Sequence, residues 1–129
     1  MNPSPLGLWH SCIKGRSPAV LDQLLDDEVV FHSPVVHTPQ RGKAVTKLYL
    51  TGALHVLVND RFHYVKEVVG DGVAVLEFET VVDGITMNGV DIISWNEQGK
   101  LVEFKVMVRP LKAINLLHQR MAAMLEAIK

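Results

Sequence analysis

Asp91 is the residue of this 129-residue chain whose surroundings most clearly invite chemistry. It stands in GVDIISW, residues 89–95, an apolar run interrupted by one carboxylate. Side chains of a strand alternate between faces, so Asp91 shares a face with Ile93 and Trp95. After the Asn96-Glu97-Gln98-Gly99 turn, the returning segment sorts into Val102, Phe104, Val106 and Val108 on one side and Glu103, Lys105 and Arg109 on the other. If the two strands form a hairpin with the first set inward, Asp91 is an acid in an aromatic-aliphatic cavity. Desolvation then raises its pKa and suits it to proton donation or general acid/base work. His32 and His37 flank the Ser33-Pro34 kink, at a loop where a rigid scaffold carries functional groups. Either imidazole is a candidate partner for Asp91, and a hydrogen-bonded structural histidine is the competing reading.

The other reactive side chains read more plainly. His10, His55, His63 and His118 have no partner spacing and are read as structural or surface residues. No histidine pair has metal-site spacing with a supporting third ligand, so no metal is predicted, and no cofactor motif is found. Cys12 is the only cysteine, which excludes an internal disulfide and a Cys-based metal site; in an early helix it reads as a small buried hydrophobe. Glu77 and Glu79 fall on the face opposite Phe78 and are expected to pair across the sheet with Lys105 or Arg109. Tyr49 and Tyr64 can each present a hydroxyl to a cavity, although core packing with a satisfied hydroxyl is the commoner outcome.

The elements that must position these groups follow from local signals. Leu6 to Lys14 reads as a short helix broken at Gly15, and Ser17-Pro18 as the cap and first position of a second helix running through VLDQLLDD. Glu28 to Ser33 is a strand stopped by Pro34, and PVVHTPQRG is a loop. Gly42 leads into a third helix, KAVTKLYLTGALHVL, with Val45, Leu48, Tyr49, Ala53 and Val56 near helical spacing and Gly52 weakening it slightly. Strands are expected over Phe62 to Val69, Val73 to Val82 and Ile85 to Trp95, linked by the hairpin signals Gly70-Asp71-Gly72 and Asp83-Gly84. Pro110 ends the last strand, and residues 111–128 form a final helix with a stripe at Leu111, Ile114, Leu117, Met121, Met124, Leu125 and Ile128. That stripe reads as core or subunit contact, with a lid over a ligand as the minority reading.

Composition bounds the rest. The apolar fraction is 48%, the charged fraction 21% and the formal net charge -1, as expected for one globular domain spanning residues 1–129. Nothing forms the basic face that nucleic acid or an anionic membrane requires. No apolar run approaches the length of a membrane span, and MNPSPLGLWH lacks the pattern of a signal peptide, so a cytoplasmic location is the expectation. Val75, Val81 and Met107 on the outward sheet face, with the apolar final helix, predict a homodimer.

The predicted order of helices and strands is α+β, a curved antiparallel sheet with the third helix on its concave face. The segments LDDEVVFHSPVVHTPQRG and GVDIISWNEQGKLVEFKVMV resemble the nuclear-transport-factor-2-like superfamily, in its SnoaL-like and ketosteroid isomerase-like branch. The resemblance covers nearly the whole chain and implies a cone-shaped, cystatin-like fold with an internal pocket. In ketosteroid isomerases the general base is an Asp directly before a Pro, and Ser33 matches that position, with His32 beside it. Leu8 or Trp9 matches the family's oxyanion-hole Tyr, and Asp91 matches its second, protonated Asp. Asp91 with His32 or His37 is similar to the His and Asp pair of the SnoaL cyclases. Val106 stands where the epoxide hydrolases of the superfamily carry an acid, which gives that activity no support. Two function classes follow. One is an isomerase, cyclase or hydrolase using Asp91, with His32, His37 or Ser33, on a small apolar molecule held by Trp9, Phe31, Tyr49, Tyr64, Phe78, Ile93, Trp95 and Phe104. The other is a noncatalytic ligand-binding or subunit-assembly module.

Overall fold

The computed structural model describes residues 4–127. Helix α1 (Pro5–Gly15) starts where Ser4 Oγ accepts a hydrogen bond from Gly7 N at 3.0 Å, with Pro5 in its first turn. It ends at Arg16, whose φ of 50° turns the chain away. A 3-10 turn, Pro18–Val20, and a single turn, α2 (Leu21–Leu24), lead into strand β1 (Leu25–His32). Then follow β2 (Gln40–Arg41), α3 (Lys43–Leu57), β3 (His63–Gly70), β4 (Val73–Val82), β5 (Ile85–Trp95), β6 (Leu101–Arg109) and α4 (Leu111–Ala127). Ile128, expected at the end of the apolar stripe, lies outside the described residues.

The sequence places β4, β5 and α3 at their observed bounds, and the second helix too far. That helix stops at Leu24 rather than Asp27, because Leu25 enters the sheet opposite Leu101 and is buried there. The expected loop also contains β2, which pairs Gln40 with Phe31 and Arg41 with Val30.

All six strands form one curved sheet in the order β2-β1-β6-β5-β4-β3. Strands β3 to β6 are an antiparallel meander, as their short turns require. The pairing of β1 with β6 is parallel, so the sheet is mixed rather than wholly antiparallel. Parallel neighbours need a long crossover, here β2, α3 and strands β3 to β5, and short-range pattern reading cannot see such a pairing.

Burial alternates along β4 and β5, with Ala74, Leu76, Phe78 and Thr80 inward from one and Met87, Gly89, Asp91 and Ile93 from the other. Gly89 has a specific task. A Cβ there would lie 2.4 Å from Phe78 Cζ and 2.7 Å from the Met107 carbonyl oxygen, so only glycine lets the Phe78 ring lie across β5. A register shift between Ser94 and Trp95 inserts one extra residue into β6. It turns Leu101 fully inward and leaves Val102, expected inside, half-buried.

Helix α3 packs between the sheet and α4. Its buried positions are Thr46, Leu50, Gly52, Leu54 and Leu57, not the Val45, Leu48, Tyr49, Ala53 and Val56 set. The helix is apolar on most sides, so its sequence does not single out one face. Gly52 is where α4 comes close, with Met121 Cε 3.0 Å from the position of a Cβ. Arg120 of α4 bonds Asp83 Oδ1 in the β4–β5 turn at 2.7 Å.

Candidate active site

The concave face of the sheet, α1, α3 and α4 enclose a cavity of about 260 Å³. Phe31, Phe78, Phe104 and Val106 line it from the sheet, Leu50, Leu54 and Leu57 from α3, and Trp9 and Ile13 from α1. Aromatic pairs stiffen the wall. Phe31 stacks on Tyr49 with ring centres 5.4 Å apart, Phe62 on Phe78 at 5.3 Å, and Trp9 meets Phe104 edge-on at 4.8 Å.

One carboxyl group opens into this apolar space. Asp91, 5% exposed, sits on β5 opposite Val106 and lines the cavity. Its Oδ2 accepts a hydrogen bond from Tyr64 Oη at 2.8 Å, and Tyr64 Oη accepts one from Trp9 Nε1 at 2.8 Å. The indole N–H can only donate, which fixes the direction of the chain: Trp9 gives to Tyr64, and Tyr64 gives to Asp91. Among the described residues no side chain donates to Asp91 Oδ1. Burial pushes the Asp91 carboxyl up from 3.8 to about 7, against the opposing pull of the Tyr64 hydrogen bond. The Tyr64 phenol is held well above its ordinary value of 10.0 by burial and then by the negative charge of Asp91. With a pKa of about 7 a substantial fraction of Asp91 keeps its proton near neutrality, and that form can donate from Oδ1 while Tyr64 supports Oδ2.

Trp9, Phe31, Tyr49, Phe78 and Phe104, expected around a ligand, line the cavity, as does Ser33. Tyr64 reaches the site through its hydroxyl. Ile93 and Trp95 do not line the cavity. Ile93 is buried in the core beside Phe104, and the half-buried Trp95 sits at the β5–β6 register shift with its backbone N–H on the Gly72 carbonyl at 3.0 Å. Nor do the expected histidines meet Asp91. Strand alternation turns Phe31 inward and His32 outward, so His32 Nε2 lies 3.1 Å from Glu103 Oε2 on β6. His37 is exposed in the loop after β1. Ser33 Oγ accepts from the backbone N–H of Val35 at 3.1 Å and of Val36 at 3.3 Å, a local turn that shapes the cavity mouth. Glu77 accepts from Asn88, which in turn accepts from Arg109, so the expected ion pair on the outer face runs through an amide.

The cavity also uses α4, which the sequence alone assigns first to core or subunit contact. Leu117, Met121 and Leu125, spaced four apart, line the cavity, and His118 and Ala122 stand beside them on the same helix edge. The signal is the apolar stripe itself, which continues past the core and covers the space above Asp91. Among the described residues no three His, Cys, Asp or Glu side chains gather as metal ligands, and no helix is long and apolar enough to cross a membrane.

No protein-family model and no curated protein matches the sequence. Solved structures do. A steroid delta-isomerase from Pseudomonas aeruginosa is 34% identical, covering 96% of this chain and 90% of its own, with a TM-score of 0.90. An uncharacterized protein with a cystatin-like fold from Silicibacter pomeroyi is 24% identical over 92% of this chain and 83% of its own, with a TM-score of 0.85. An NTF2-like protein of unknown function from Mesorhizobium loti shares the fold at 18% identity and a TM-score of 0.72, covering 82% of this chain and 88% of its own.

Proposed function

The chain belongs to the nuclear-transport-factor-2-like superfamily, in its SnoaL-like and ketosteroid isomerase-like branch, and from that premise we propose that it binds a small, largely apolar molecule through one acceptor oxygen and rearranges it by proton transfer. The observation that carries this reading is Asp91, a buried acid with Oδ2 held by Tyr64 and Oδ1 left to the cavity. A carbonyl oxygen accepts from a neutral carboxylic acid, and that hydrogen bond strengthens as the oxygen gains negative charge in a transition state. The rest of the wall is suited to rings and alkyl groups. No Lys or Arg lines the cavity among the described residues, so an anionic ligand has no counter-charge there. The kinship with a steroid delta-isomerase supports an isomerase over a cyclase or hydrolase.

A carrier without chemistry is the second reading. It is favoured by Ser33, whose oxygen is occupied by two backbone N–H groups at the end of β1, where the resemblance places the isomerases' base.

Fluorescence titration with 2-naphthol, an apolar molecule with one hydroxyl, tests the pocket. Asp91→Ala is expected to weaken binding about tenfold, the loss of one hydrogen bond to a buried carboxylic acid. Unchanged affinity would overturn the reading.

A further inference from the structure

We propose that His118, on α4 at the mouth of the cavity, is the base that removes a carbon-bound proton from an enolisable apolar ketone whose oxygen rests on Asp91. The inference rests on the proton-transfer reading above and supplies the group it lacks.

Proton transfer at carbon beside a carbonyl needs two groups on different sides of the substrate. One stabilises the oxygen as it becomes an enolate, and the other takes the proton from carbon. Among the cavity-lining side chains, those able to exchange protons are Asp91, Tyr49, Ser33 and His118. Tyr49 is stacked face to face on Phe31, and a phenol is a poor base while it holds its proton. Ser33, at the mouth, already accepts two backbone hydrogen bonds and has no imidazole or carboxylate bonded to it among the described residues. His118 differs. No described residue hydrogen-bonds its ring, so its nitrogens are left to solvent and to whatever fills the cavity. Imidazole is also the side chain most often used as a general base.

Its helix is held in place on both sides of it. Leu117 is 2% exposed, Arg120 is tied to Asp83 at 2.7 Å, and Met121 sits against Gly52 of α3. Asp91 comes from the sheet and His118 from the helix covering it, so the two groups enter the same cavity from different elements.

The step balances within the substrate and these two residues. His118 takes the α-proton, the C–H electron pair becomes a carbon–carbon double bond, and the carbonyl π pair moves to oxygen, where Asp91 donates its hydrogen bond. The imidazolium then returns the proton to the same carbon, or to the far carbon of a conjugated enolate, which shifts the double bond. No oxidant or further reactant is consumed.

The test uses 2-tetralone, a bicyclic enolisable ketone, in D2O, with deuterium uptake beside the carbonyl followed by NMR, and 2-naphthol as a binding probe that cannot react. The wild-type protein is expected to accelerate exchange. H118Q, at an exposed position where folding is not at stake, should slow it about a hundredfold or more while leaving 2-naphthol affinity within about twofold. Free imidazole added to H118A should restore part of the lost rate, which a residue acting only through packing would not show. Exchange by H118Q at the wild-type rate, or an H118A that imidazole fails to rescue, overturns the assignment while the binding reading stands. A wild-type protein that neither binds 2-naphthol nor exchanges 2-tetralone removes the underlying reading, and this inference with it.

Discussion

Tyr64 Oη and Asp91 Oδ2 meet at 2.8 Å although their strands are not neighbours, β4 lying between β3 and β5. Tyr64, Phe78 and Gly89 form one row across these three strands, and Asp91 stands two residues along β5 from Gly89 on the same face. The glycine lets the Phe78 ring lie flat, and Tyr64 reaches the carboxyl from the sheet's edge. An edge-strand tyrosine thus takes the place expected of a histidine.

Replacing Asp91 by Asn tests the raised acid directly. The folded carboxyl ionises near 7 against 3.8, so the native state holds its proton more tightly than the unfolded chain does. Stability of the wild-type protein should therefore fall as pH rises from about 4 to about 7, then level off. Asp91→Asn keeps an acceptor for Tyr64 and a donor for the cavity but removes the titration. Its advantage in urea denaturation should be absent near pH 4 and grow to a plateau above pH 7, on the order of 4 kcal/mol at most. A difference independent of pH would show that Asp91 does not titrate in this window.

Tyr64→Phe should act on two neighbours at once. Trp9 Nε1 loses its acceptor in a buried setting, costing about 1–3 kcal/mol in thermal or chemical denaturation. Asp91 loses the hydrogen bond that favours its charged form, so NMR titration of its carboxyl carbon should move to higher pH than in the wild type.

Gly89→Ala should be disproportionately harmful for one methyl group. The new Cβ meets the Phe78 ring and the Met107 carbonyl well inside contact distance, and neither backbone nor packed ring yields cheaply. A loss of about 1–3 kcal/mol or more is expected, with altered 2-naphthol binding as Phe78 tilts into the cavity. A melting temperature equal to that of the wild type would contradict this account.

The outward sheet face predicts assembly. Val68 and Met107 are 59% and 48% exposed there, beside Val75, Val90 and the Glu77–Asn88–Arg109 hydrogen-bonded row. Light scattering at tens of micromolar, an order-of-magnitude range for an ordinary interface, should return a dimer, and Met107→Glu should return a monomer. A monomeric wild-type protein would contradict it.

How much of this was legible in the sequence depended on range. The hairpin of β4 and β5 is written in two adjacent residues: Asp83 and Gly84 both have positive φ, at 50° and 77°, as a tight hairpin turn demands. Asp91 was legible because a carboxylate inside an alternating apolar strand must be stripped of water, a cost that sets it apart from its neighbours. The parallel partnership of β1 with β6 was not, since it joins residues about seventy positions apart. Tyr64 was visible only as one of two tyrosines, because its reach to Asp91 depends on a strand between them and on Gly89. His118 was masked by its own helix, where the apolar stripe points to packing while the cavity lies along the stripe's edge.

The parallel seam between β1 and β6 also divides the molecule into a locally connected part and a part held by distant contacts. Chain synthesis delivers β1 early and its partner almost last, and closing so long a loop is entropically costly until the intervening meander has formed and shortened it. The meander is joined by short local turns, and it carries Asp91, Tyr64 and Phe78. Phe31 and Trp9 come from the other end of the chain, and α4 follows β6 directly in sequence. The polar half of the site thus lies on the part of the sheet joined by local turns, while the apolar enclosure that gives its acid an unusual proton affinity depends on the long-range seam and on α4.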